Sequence, residues 1–273
     1  MSTATMFQAT QSLPVGERYG KRPGRRRARV TGSRQLARGI YQLTICDSIV
    51  AGRAQPGQFV NLYSPNPTRL LPRPFGVAQV QGSEFDLIYQ IVGQGTAEFA
   101  RLQAGDWVNL LGPLGQPFQL DQPGDYLLVG GGLGVPPLIR AAQSLARRTD
   151  ARVLALLGYR EERFADDIVR PYANQLLSID NAAGNVITLL DRLEDQEQLS
   201  HPQILSCGPK PMMQAIAAWA AQRSIPTQLS LEERMGCGYG ACVACAVDSS
   251  RGRLKVCTDG PVFRAEELGW GRE

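Results

Sequence analysis

The chain is poor in histidine and in long apolar runs, and each shortage excludes a class of protein. Its 273 residues include one histidine, His201. A Rieske-type iron–sulfur centre and an H-E-x-x-H zinc site each need two histidines, so the sequence excludes both. No stretch approaches the ~20 consecutive apolar residues of a membrane-spanning helix. His201 precedes Pro202 and a short apolar run, so we expect it at a strand entrance, without a catalytic role.

Acidic residues are scarce at the start of the chain, where basic residues collect. Residues 1–27 hold six Arg or Lys residues and one acid, Glu17, which gives this segment a net charge of +5. The whole chain carries +4, so the remainder is near neutral and implies no basic face. Because glycine and proline interrupt the segment, we interpret residues 1–27 as a disordered basic tail. A transit peptide, or a tail that contacts nucleic acid or an acidic partner, is the alternative.

Short β-branched and aromatic runs recur between turn residues from residue 28 to residue 122. Five of them are candidate strands: 40–45, 59–63, 75–78, 85–92 and 107–111. In the run that begins at Phe85, every second residue is apolar (Phe85, Leu87, Tyr89 and Ile91). This spacing predicts a small antiparallel β-barrel over residues 28–122, with Cys46 in its core.

Strand and helix signals alternate from residue 123 to residue 225. We predict strands at 126–129, 152–157, 185–190 and 204–206, and helices at 135–146 and 212–223. Pro136 and Pro137 suit the first turn of the first helix. The alternation predicts a parallel α/β sheet with helices on both faces. Residues 226–273 then form a third, smaller domain.

Four cysteines in this third domain carry the strongest chemical signal: Cys237, Cys242, Cys245 and Cys257. Their pattern, C-x4-C-x2-C-x11-C, contains the spacing of a plant-type [2Fe–2S] ferredoxin loop. Glycines at 236, 238 and 240 allow the positive φ and close approach by which backbone N–H groups turn toward sulfur. The chain is therefore predicted to transfer electrons.

Two other interpretations of the four cysteines stay open. A structural zinc site usually has two C-x2-C knuckles, whereas only Cys242 and Cys245 form one here. Disulfides are the other alternative. We expect a reducing compartment, since no secretory signal is recognisable, and such a compartment disfavours disulfides.

A glycine-rich turn joins the predicted strand 126–129 to the following helix and has the layout of a dinucleotide-binding loop. Its candidate NAD-binding residues are Gly130, Gly131, Gly132 and Gly134. The turn is not the G-x-G-x-x-G fingerprint, so a simple tight turn is the alternative. Cys207, Gly208 and Pro209 follow the last predicted strand, at the edge where α/β sheets bind ligands. Cys207 is a candidate for the nicotinamide side, and a buried structural thiol is its alternative.

Arg73, Pro74 and Phe75 lie between barrel strands and supply groups that a flavin needs. An aromatic or proline wall suits the ring, and a cation suits the diphosphate. Residues 93–96, with Gly95 and Thr96, end a strand and offer N–H groups and a hydroxyl to the same phosphates. An ordinary turn is the alternative for each segment.

These motifs together resemble the electron-transfer subunits of NAD-dependent dihydroorotate dehydrogenases, members of the ferredoxin–NADP reductase superfamily. The resemblance runs from about residue 28 to residue 263. It is most specific at 231–245 and 256–263, and it is also visible at 112–115, 130–137 and 207–213. It implies an FAD-binding barrel, an NAD-binding α/β domain and a C-terminal domain with the cluster on the four cysteines. It implies FAD contacts at Arg73, Pro74, Phe75, Gly76, Ile88, Tyr89, Gln90, Gly95 and Thr96.

The resemblance also implies a partner, an FMN-containing catalytic subunit that oxidises dihydroorotate, in a cytoplasmic heterotetramer of two copies of each subunit. Electrons would pass from FMN through [2Fe–2S] and FAD to NAD+, in pyrimidine (UMP) biosynthesis. No side chain of this chain need act as an acid or base. Two positions depart from the family pattern. Family members usually have Ser or Thr where this chain has Gly76, and a basic residue where it has Gln90.

Two rival functions remain. A related NAD(P)H-dependent ferredoxin oxidoreductase or a sulfhydrogenase-type subunit would share this layout and use another partner. In the segment that follows the second predicted strand of the α/β domain, Arg160 suits a ribose 2′-phosphate, whereas Glu161 and Glu162 oppose it, so we favour NAD. A zinc-stabilised binding module without redox activity is the second rival, against which the glycine-rich turn and the barrel argue.

Overall fold

The computed structural model describes residues 24–196 and 198–271. The first part is a closed antiparallel barrel of six strands, whose order round the barrel is β1-β2-β5-β4-β3-β6. The strands are β1 (Arg26–Ala37), β2 (Ile40–Cys46), β3 (Phe59–Tyr63), β4 (Arg73–Gln81), β5 (Glu84–Gln90) and β6 (Trp107–Leu114). Two short helices lie in the connections, α1 (Ser48–Arg53) and α2 (Gln94–Phe99).

Alternation along the strands builds the barrel core. Phe85, Leu87 and Tyr89 of β5 are all buried and point inward with period two, as the sequence predicts. They pack on Leu43 of β2 and on Phe99, which lies at the end of α2. Because the barrel is closed, its strands leave no unpaired edge.

The second part is a parallel sheet with helices on both faces. Its elements in chain order are β7 (Gly124–Gly131), α3 (Val135–Leu145), β8 (Ala151–Tyr159), α4 (Asp166–Val169), β9 (Gln175–Asp180), α5 (Val186–Gln196), β10 (Gln203–Cys207), α6 (Lys210–Ala221) and β11 (Thr227–Ser230). Short 3₁₀ turns occupy Gly132–Gly134 and Arg170–Tyr172. The parallel strands run in the order β11-β10-β7-β8-β9, so the strand order reverses between β7 and β10.

The third part contributes to that sheet. After the cysteine loop come a two-stranded hairpin, β12 (Ala246–Ser249) with β13 (Gly252–Lys255), and then β14 (Val262–Arg264). β14 pairs with β11 in the antiparallel direction and becomes the outer strand of the sheet. The sheet therefore extends past residue 225 and includes a strand that follows the cluster cysteines. The predicted fold class, a barrel with a parallel α/β domain and a small C-terminal domain, is confirmed.

One predicted strand is wrong. Residues 185–190 were predicted as a strand, but they begin helix α5. Asn185 caps this helix, because its side-chain oxygen accepts from the backbone N–H groups of Ile187 at 2.9 Å and Thr188 at 3.3 Å. The buried residues of α5 recur at helical spacing: Val186, Leu189, Leu190 and Leu193. The strand of this region is β9, which the sequence analysis missed.

The predicted disordered tail is too long at its C-terminal end. Arg26 and Arg27 begin β1 and pair with Leu110 and Asn109 of β6. Arg26 also donates to both carboxylate oxygens of Asp47 at 2.7 Å, which fixes its position. Residues 1–23 of the predicted tail lie outside the described residues.

Two smaller expectations concern Cys46 and His201. Cys46, expected in the barrel core, is only partly buried, with its sulfur 3.7 Å from the Ser83 hydroxyl, because it is the last residue of β2. His201 lies two residues before β10, at the strand entrance as expected, and has a positive φ of 46°.

The barrel and the sheet meet along α3, which packs against β4. Gln143 of α3 is buried and bridges to the backbone of Val80, accepting from its N–H at 3.1 Å and donating to its carbonyl oxygen at 2.7 Å. This contact places the carboxyl ends of β7 and β10 opposite β4 and β5 of the barrel. None of the helices in residues 24–196 and 198–271 combines the length and apolar character needed to span a bilayer.

Candidate flavin, nicotinamide and cluster sites

A cavity of about 280 Å³ lies where the barrel faces the carboxyl ends of the sheet strands. It brings together predicted flavin residues from β4, β5 and α2 with one predicted nicotinamide residue: Pro74, Phe75, Gly76, Ile88, Tyr89, Gln90, Thr96 and Cys207. A crevice at the point where strand order reverses is the usual ligand position in an open α/β sheet. The two predicted sites are therefore neighbours in space.

Aromatic side chains form the barrel side of this cavity. The Phe75 ring lies 5.0 Å from the Tyr89 ring and 5.9 Å from the Phe99 ring, the latter in an edge-to-face arrangement. The Tyr89 hydroxyl is buried and has no hydrogen-bond partner within the described residues. Burial raises the pKa of Tyr89, so the hydroxyl stays protonated and able to donate. An apolar wall with one unpaired donor fits the ring of FAD.

Gly76 lies where the barrel and α3 approach most closely. A Cβ at this position would be 2.9 Å from Cγ of Pro137, which is closer than carbon atoms pack. Pro137 thus occupies the space in which the Ser or Thr that the resemblance leads us to expect here would place its side chain. The glycine at position 76 is therefore accompanied by a proline that fills the space next to it. Gln90 is exposed at the cavity edge, so its lack of charge leaves no buried group unpaired.

Arg73, Gly95 and Thr96 lie together at one end of the flavin wall. A Cβ at Gly95 would be 2.9 Å from the Arg73 guanidinium nitrogens, so the cation lies directly over this glycine. The Thr96 hydroxyl accepts from the backbone N–H groups of Val92 at 3.0 Å and Gly93 at 3.2 Å, which holds the turn before α2. The Arg73 guanidinium beside this turn suits a diphosphate.

The loop after β7 packs closely against the loop after β10, and this close packing is why most of the residues at the end of β7 must be glycine. A Cβ at Gly131 would be 2.5 Å from the Met212 sulfur, and one at Gly134 would overlap the Cys207 carbonyl. Gly208, with a φ of 154°, approaches the backbone of Gly131 in the same way. Gly132 differs, because it has a φ of 53° and no atom of the described residues lies within 4 Å of its Cβ position. Its backbone is therefore the part of this loop open to a ligand, while Pro209 is exposed at the start of α6.

Cys207 is the last residue of β10 and is fully buried, yet it lines the cavity. Burial, reinforced by the nearby Glu232 carboxylate, raises the pKa of its thiol well above the usual value, against a smaller opposing effect of Ser230. The thiol is therefore neutral at physiological pH. A neutral, small and polarisable group at this point suits contact with a planar ring rather than nucleophilic attack.

The cluster cysteines lie in an irregular loop between β11 and β12 and in the turn after β13. Gly238 and Gly240 of this loop have φ of 75° and 91°, the left-handed region that glycine permits. The positive φ values turn backbone N–H groups toward sulfur. The N–H groups of Tyr239 and Cys242 lie 3.5 Å and 3.4 Å from the Cys237 sulfur.

The four thiols form two pairs with different surroundings. Cys237 contacts Cys242, and both are half-buried, whereas Cys257 contacts Cys245, and both are buried. Burial alone would raise the pKa of Cys237, but N–H groups of Tyr239, Cys242 and Ala241 lower it to about 7. Burial and the adjacent Cys245 raise the pKa of Cys257 to about 12. One edge of the site is therefore open and favours thiolate, and the other is closed.

This arrangement bears on the two alternatives for the cysteines. All six cysteines are free thiols, so the disulfide interpretation is wrong. A structural zinc ion takes four ligands about one centre, whereas the four thiols here form two pairs with sulfur-directed N–H groups, which suits a dinuclear iron–sulfur cluster.

Sequence reasoning missed several residues of the site. Leu133, Pro136 and Pro137 line the cavity beside the flavin wall, although the sequence analysis gave the prolines only a helix-starting role. Asn61 of β3 is buried and donates to the Cys237 carbonyl oxygen at 2.8 Å. There was little indication of this role in the sequence, because a single asparagine in an apolar strand is usually expected to face solvent.

Comparison with solved structures defines the class of the protein. The fold is that of the ferredoxin–NADP reductase type, in which a flavin barrel is followed by a nucleotide-binding α/β domain. An NADH-dependent reduced ferredoxin–NADP oxidoreductase matches with a TM-score of 0.80 and 29% identity, over 89% of this chain and 90% of that one. The ferredoxin reductase of carbazole 1,9a-dioxygenase shares the fold, with a TM-score of 0.60 and 19% identity over 74% of this chain and 67% of that one.

Sequence comparison identifies the family. Residues 232–269 match the iron–sulfur cluster binding domain of dihydroorotate dehydrogenase B. The electron transfer subunit of dihydroorotate dehydrogenase B (NAD(+)) from Geobacillus thermodenitrificans is 39% identical over 90% of this chain and 98% of its own length. That of Listeria monocytogenes strain EGD-e is 35% identical over 86% of this chain and 94% of its own length. The chain belongs to this family of electron transfer subunits. It is an oxidoreductase subunit whose cofactors are an iron–sulfur cluster, FAD and NAD.

Proposed function

We propose that the chain passes electrons from a catalytic subunit that oxidises dihydroorotate to NAD+, in pyrimidine (UMP) biosynthesis. The main support for this proposal is that the three candidate cofactor sites lie next to one another. The four-thiol loop packs on the barrel strand next to the flavin wall, and the opposite wall of the same cavity is the end of the parallel sheet. The cluster supplies one-electron steps, NAD accepts a hydride, and the flavin converts between the two.

The barrel residues hold and orient the flavin in this proposal. Pro74 and Phe75 form the wall against its ring, Gly76 and Ile88 line the same cavity, and the Tyr89 hydroxyl donates a hydrogen bond. Arg73 and the Gly95–Thr96 turn hold the diphosphate, with Gln90 at the cavity edge. The neutral Cys207 thiol contacts the nicotinamide side.

The sheet residues bind NAD. We assign the pyrophosphate to the open backbone of Gly132, and we assign to Gly130, Gly131, Gly134, Gly208 and Pro209 the close packing that shapes this edge. None of these residues transfers a proton, because hydride transfer needs placement and the exclusion of water rather than an acid or base. We further propose that residues 28–122, 123–225 and 226–273 each serve one cofactor, with β11 and β14 supplied to the sheet by the last segment.

The cluster site is proposed as [2Fe–2S] on Cys237, Cys242, Cys245 and Cys257, with one iron held by each thiol pair. The half-buried pair, Cys237 with Cys242, lies beside the exposed side chains of Tyr239 and Val243, which are 39% and 70% exposed. We propose that this open edge faces the FMN-containing subunit in a cytoplasmic heterotetramer of two copies of each subunit. The names of the relatives support the existence of a catalytic partner.

Co-purification with an FMN-bearing catalytic subunit tests the proposal. The complex should form NADH from dihydroorotate and NAD+, and the Cys242→Ala complex should lose this activity while it keeps FAD. Cys46→Ala is the matched control, since Cys46 lies in the barrel away from the cluster and should leave the activity unchanged. A complex that binds iron and flavin but forms no NADH from dihydroorotate would contradict the assignment.

A second candidate is an NADP-linked ferredoxin oxidoreductase, which the 29% identical structural neighbour favours. The segment after β8 argues for NAD. Glu162 accepts from the backbone N–H of Arg38 at 3.1 Å and is thereby held in place, and Glu161 remains beside the expected ribose position. Anaerobic titration with NADH and NADPH decides between them, because the proposal expects flavin bleaching by NADH at much lower concentration.

A further inference from the structure

Asn61 is a buried polar residue in the barrel wall that faces the cluster loop. Its side chain is 0% exposed. The Nδ2 group donates to the carbonyl oxygen of Cys237 at 2.8 Å, and the Oδ1 atom has no hydrogen-bond partner within the described residues. A buried amide with one unsatisfied oxygen costs free energy that leucine, of similar size, would not. Stability alone therefore does not explain an asparagine here.

The loop is shaped to lie directly on this amide. Gly238 has a φ of 75°, and a Cβ at this position would overlap Nδ2 of Asn61 and lie 2.9 Å from Oδ1. A side chain at residue 238 would therefore push the loop away from the barrel. The contact needs asparagine on one side and glycine on the other.

The same residue adjoins the flavin wall. In the pairing of β3 with β4, Asn61 is opposite Pro74, and Pro74 lines the cavity together with Phe75 and Cys207. The Asn61 side chain thus contacts the cluster loop, and its backbone lies next to the flavin wall, because Asn61 pairs with Pro74. At this point the cluster loop and the flavin wall are separated by one pair of adjacent strands.

A second barrel amide makes a weaker version of this contact at the other thiol pair. Gln116 donates through Nε2 to the carbonyl oxygen of Thr258, the residue after Cys257, at 3.0 Å. This bond is exposed to solvent, whereas the Asn61 bond is part-buried and its Asn61 end is fully buried. A hydrogen bond that is shielded from water constrains geometry more strongly than one that water can readily replace.

We propose that Asn61 is a positioning residue for electron transfer, which fixes the Cys237 side of the cluster at a set distance from the flavin wall. The proposal rests on the proposed function. The Asn61 side chain does not contact the sulfur atoms that bind the cluster, and it does not transfer a proton in the reaction. It acts through the Cys237 backbone, as groups around a metal centre orient its ligands.

The test is Asn61→Leu in the full chain, prepared anaerobically with FAD and iron. We expect the cluster to be reduced by NADH about tenfold more slowly than in the wild type, the lower limit for loss of such supporting groups. The EPR spectrum of the dithionite-reduced cluster should change as well. Flavin reduction by NADH should stay unchanged, because the nicotinamide approaches from the sheet side. Gln143→Leu is the matched control, since Gln143 is also a buried amide that joins the barrel to another part of the chain. It should leave the EPR spectrum unchanged.

Gly238→Ala tests the same contact from the loop side and keeps the proposal testable if Asn61→Leu does not fold. We expect it to change the EPR spectrum and the cluster-reduction rate in the same direction. The double variant should show less than the sum of the two effects. A cluster-reduction rate within about twofold of the wild type in both folded variants would overturn the proposal.

Failure of the proposed function gives a different result. In that case NADH would reduce the flavin but not the cluster of the wild-type protein. The dithionite-reduced EPR spectrum then decides on Asn61 alone. A variant spectrum that superimposes on that of the wild type would overturn the positioning role, and a changed spectrum would support it.

Discussion

The cluster loop and the flavin–nicotinamide cavity are built in opposite ways. The loop between β11 and β12 has no helix or strand, and its shape depends on positive-φ glycines and on N–H groups aimed at sulfur. The cavity is assembled mainly from the ends of regular elements, namely β4, β5, α3 and β10, and residues 231–235 of the cluster loop close one side of it. Tight turns and contacts to sulfur and to Asn61 therefore set the shape of the loop, whereas the packing of regular elements sets the shape of most of the cavity.

The difference implies that damage in one region should leave the other intact. Because a metal site that folds around its ion takes much of its stability from binding, losing a ligand there affects the whole site. A wall residue of the cavity contributes one contact among many. The expected effects below run from complete loss in the loop to a small change far from both sites.

Cys242→Ala gives the largest expected effect. It removes one of four ligands and breaks the half-buried thiol pair, so we expect iron to be lost and the iron–sulfur absorption bands to disappear. FAD content should stay at the wild-type level, as measured by flavin absorbance after denaturation. Retention of a full complement of iron would show that the four cysteines are not the ligand set.

Gly134→Ala tests whether backbone packing shapes the nicotinamide end of the cavity. The added methyl group would overlap the Cys207 carbonyl, and we expect a destabilisation of about 3 kcal/mol, typical of severe overpacking. Gly132→Ala is the matched control, because its Cβ position is empty and the cost is only that of a positive φ, about 1 kcal/mol. Denaturant unfolding measures both. Equal losses would refute the packing explanation.

Cys207→Ala should affect only the cavity. We expect hydride exchange between NADH and the flavin to slow by about tenfold, which corresponds to about 1.4 kcal/mol in the barrier. The EPR spectrum of the cluster should be identical to that of the wild type. If stopped-flow measurements show an unchanged rate of flavin reduction, Cys207 is a buried structural thiol.

Asp125→Asn gives the smallest expected effect and lies outside both regions. Asp125 accepts from Arg152 through both oxygens at 2.9 Å and from the Ser200 N–H at 2.7 Å. Burial raises the pKa of Asp125, but these bonds outweigh it and hold the pKa below its usual value of 3.8. A carboxyl with a lowered folded-state pKa stabilises the fold above pH 3.8, and the contribution is lost as pH falls through the folded-state pKa.

We therefore expect Asp125→Asn to cost about 1 kcal/mol at neutral pH, since the partner Arg152 is partly exposed. The difference from the wild type should vanish in acid, at a pH below the folded-state pKa. Urea titrations over this range measure it. A loss of stability that does not vary with pH would mean that the carboxylate charge is not involved.

The two regions also differ in how far the sequence could predict them. The cluster residues were readable because their chemistry and spacing lie within one short segment. The barrel strands followed from β-branched and aromatic runs between turn residues, except β1, whose many polar and basic residues hide the inward-facing Ala28 and Val30. Residues 185–190 were misassigned because a short apolar run fits both a strand and a helix, and the cap at Asn185 decides between them.

The cavity could be predicted only in part. Its residues come from seven separate segments of the chain, and their meeting depends on how α3 packs against β4, which no local pattern encodes. The same holds for Asn61, whose partner Cys237 lies far along the chain. The contact between Pro137 and Gly76 is a further case. Pro137 fits there because residue 76 has no side chain, and neither residue alone predicts the contact.

The strand that follows the cysteines, β14, ties the cofactor regions into one folding unit. Since β14 covers the outer side of β11, a protein truncated before Val262 would present the N–H and C=O groups of Thr227–Ser230 as a template for intermolecular association. The iron-binding segment therefore cannot be removed or replaced on its own, because the edge of β11 that β14 covers would then be exposed. Engineers who wish to exchange it should move the closing strand with it.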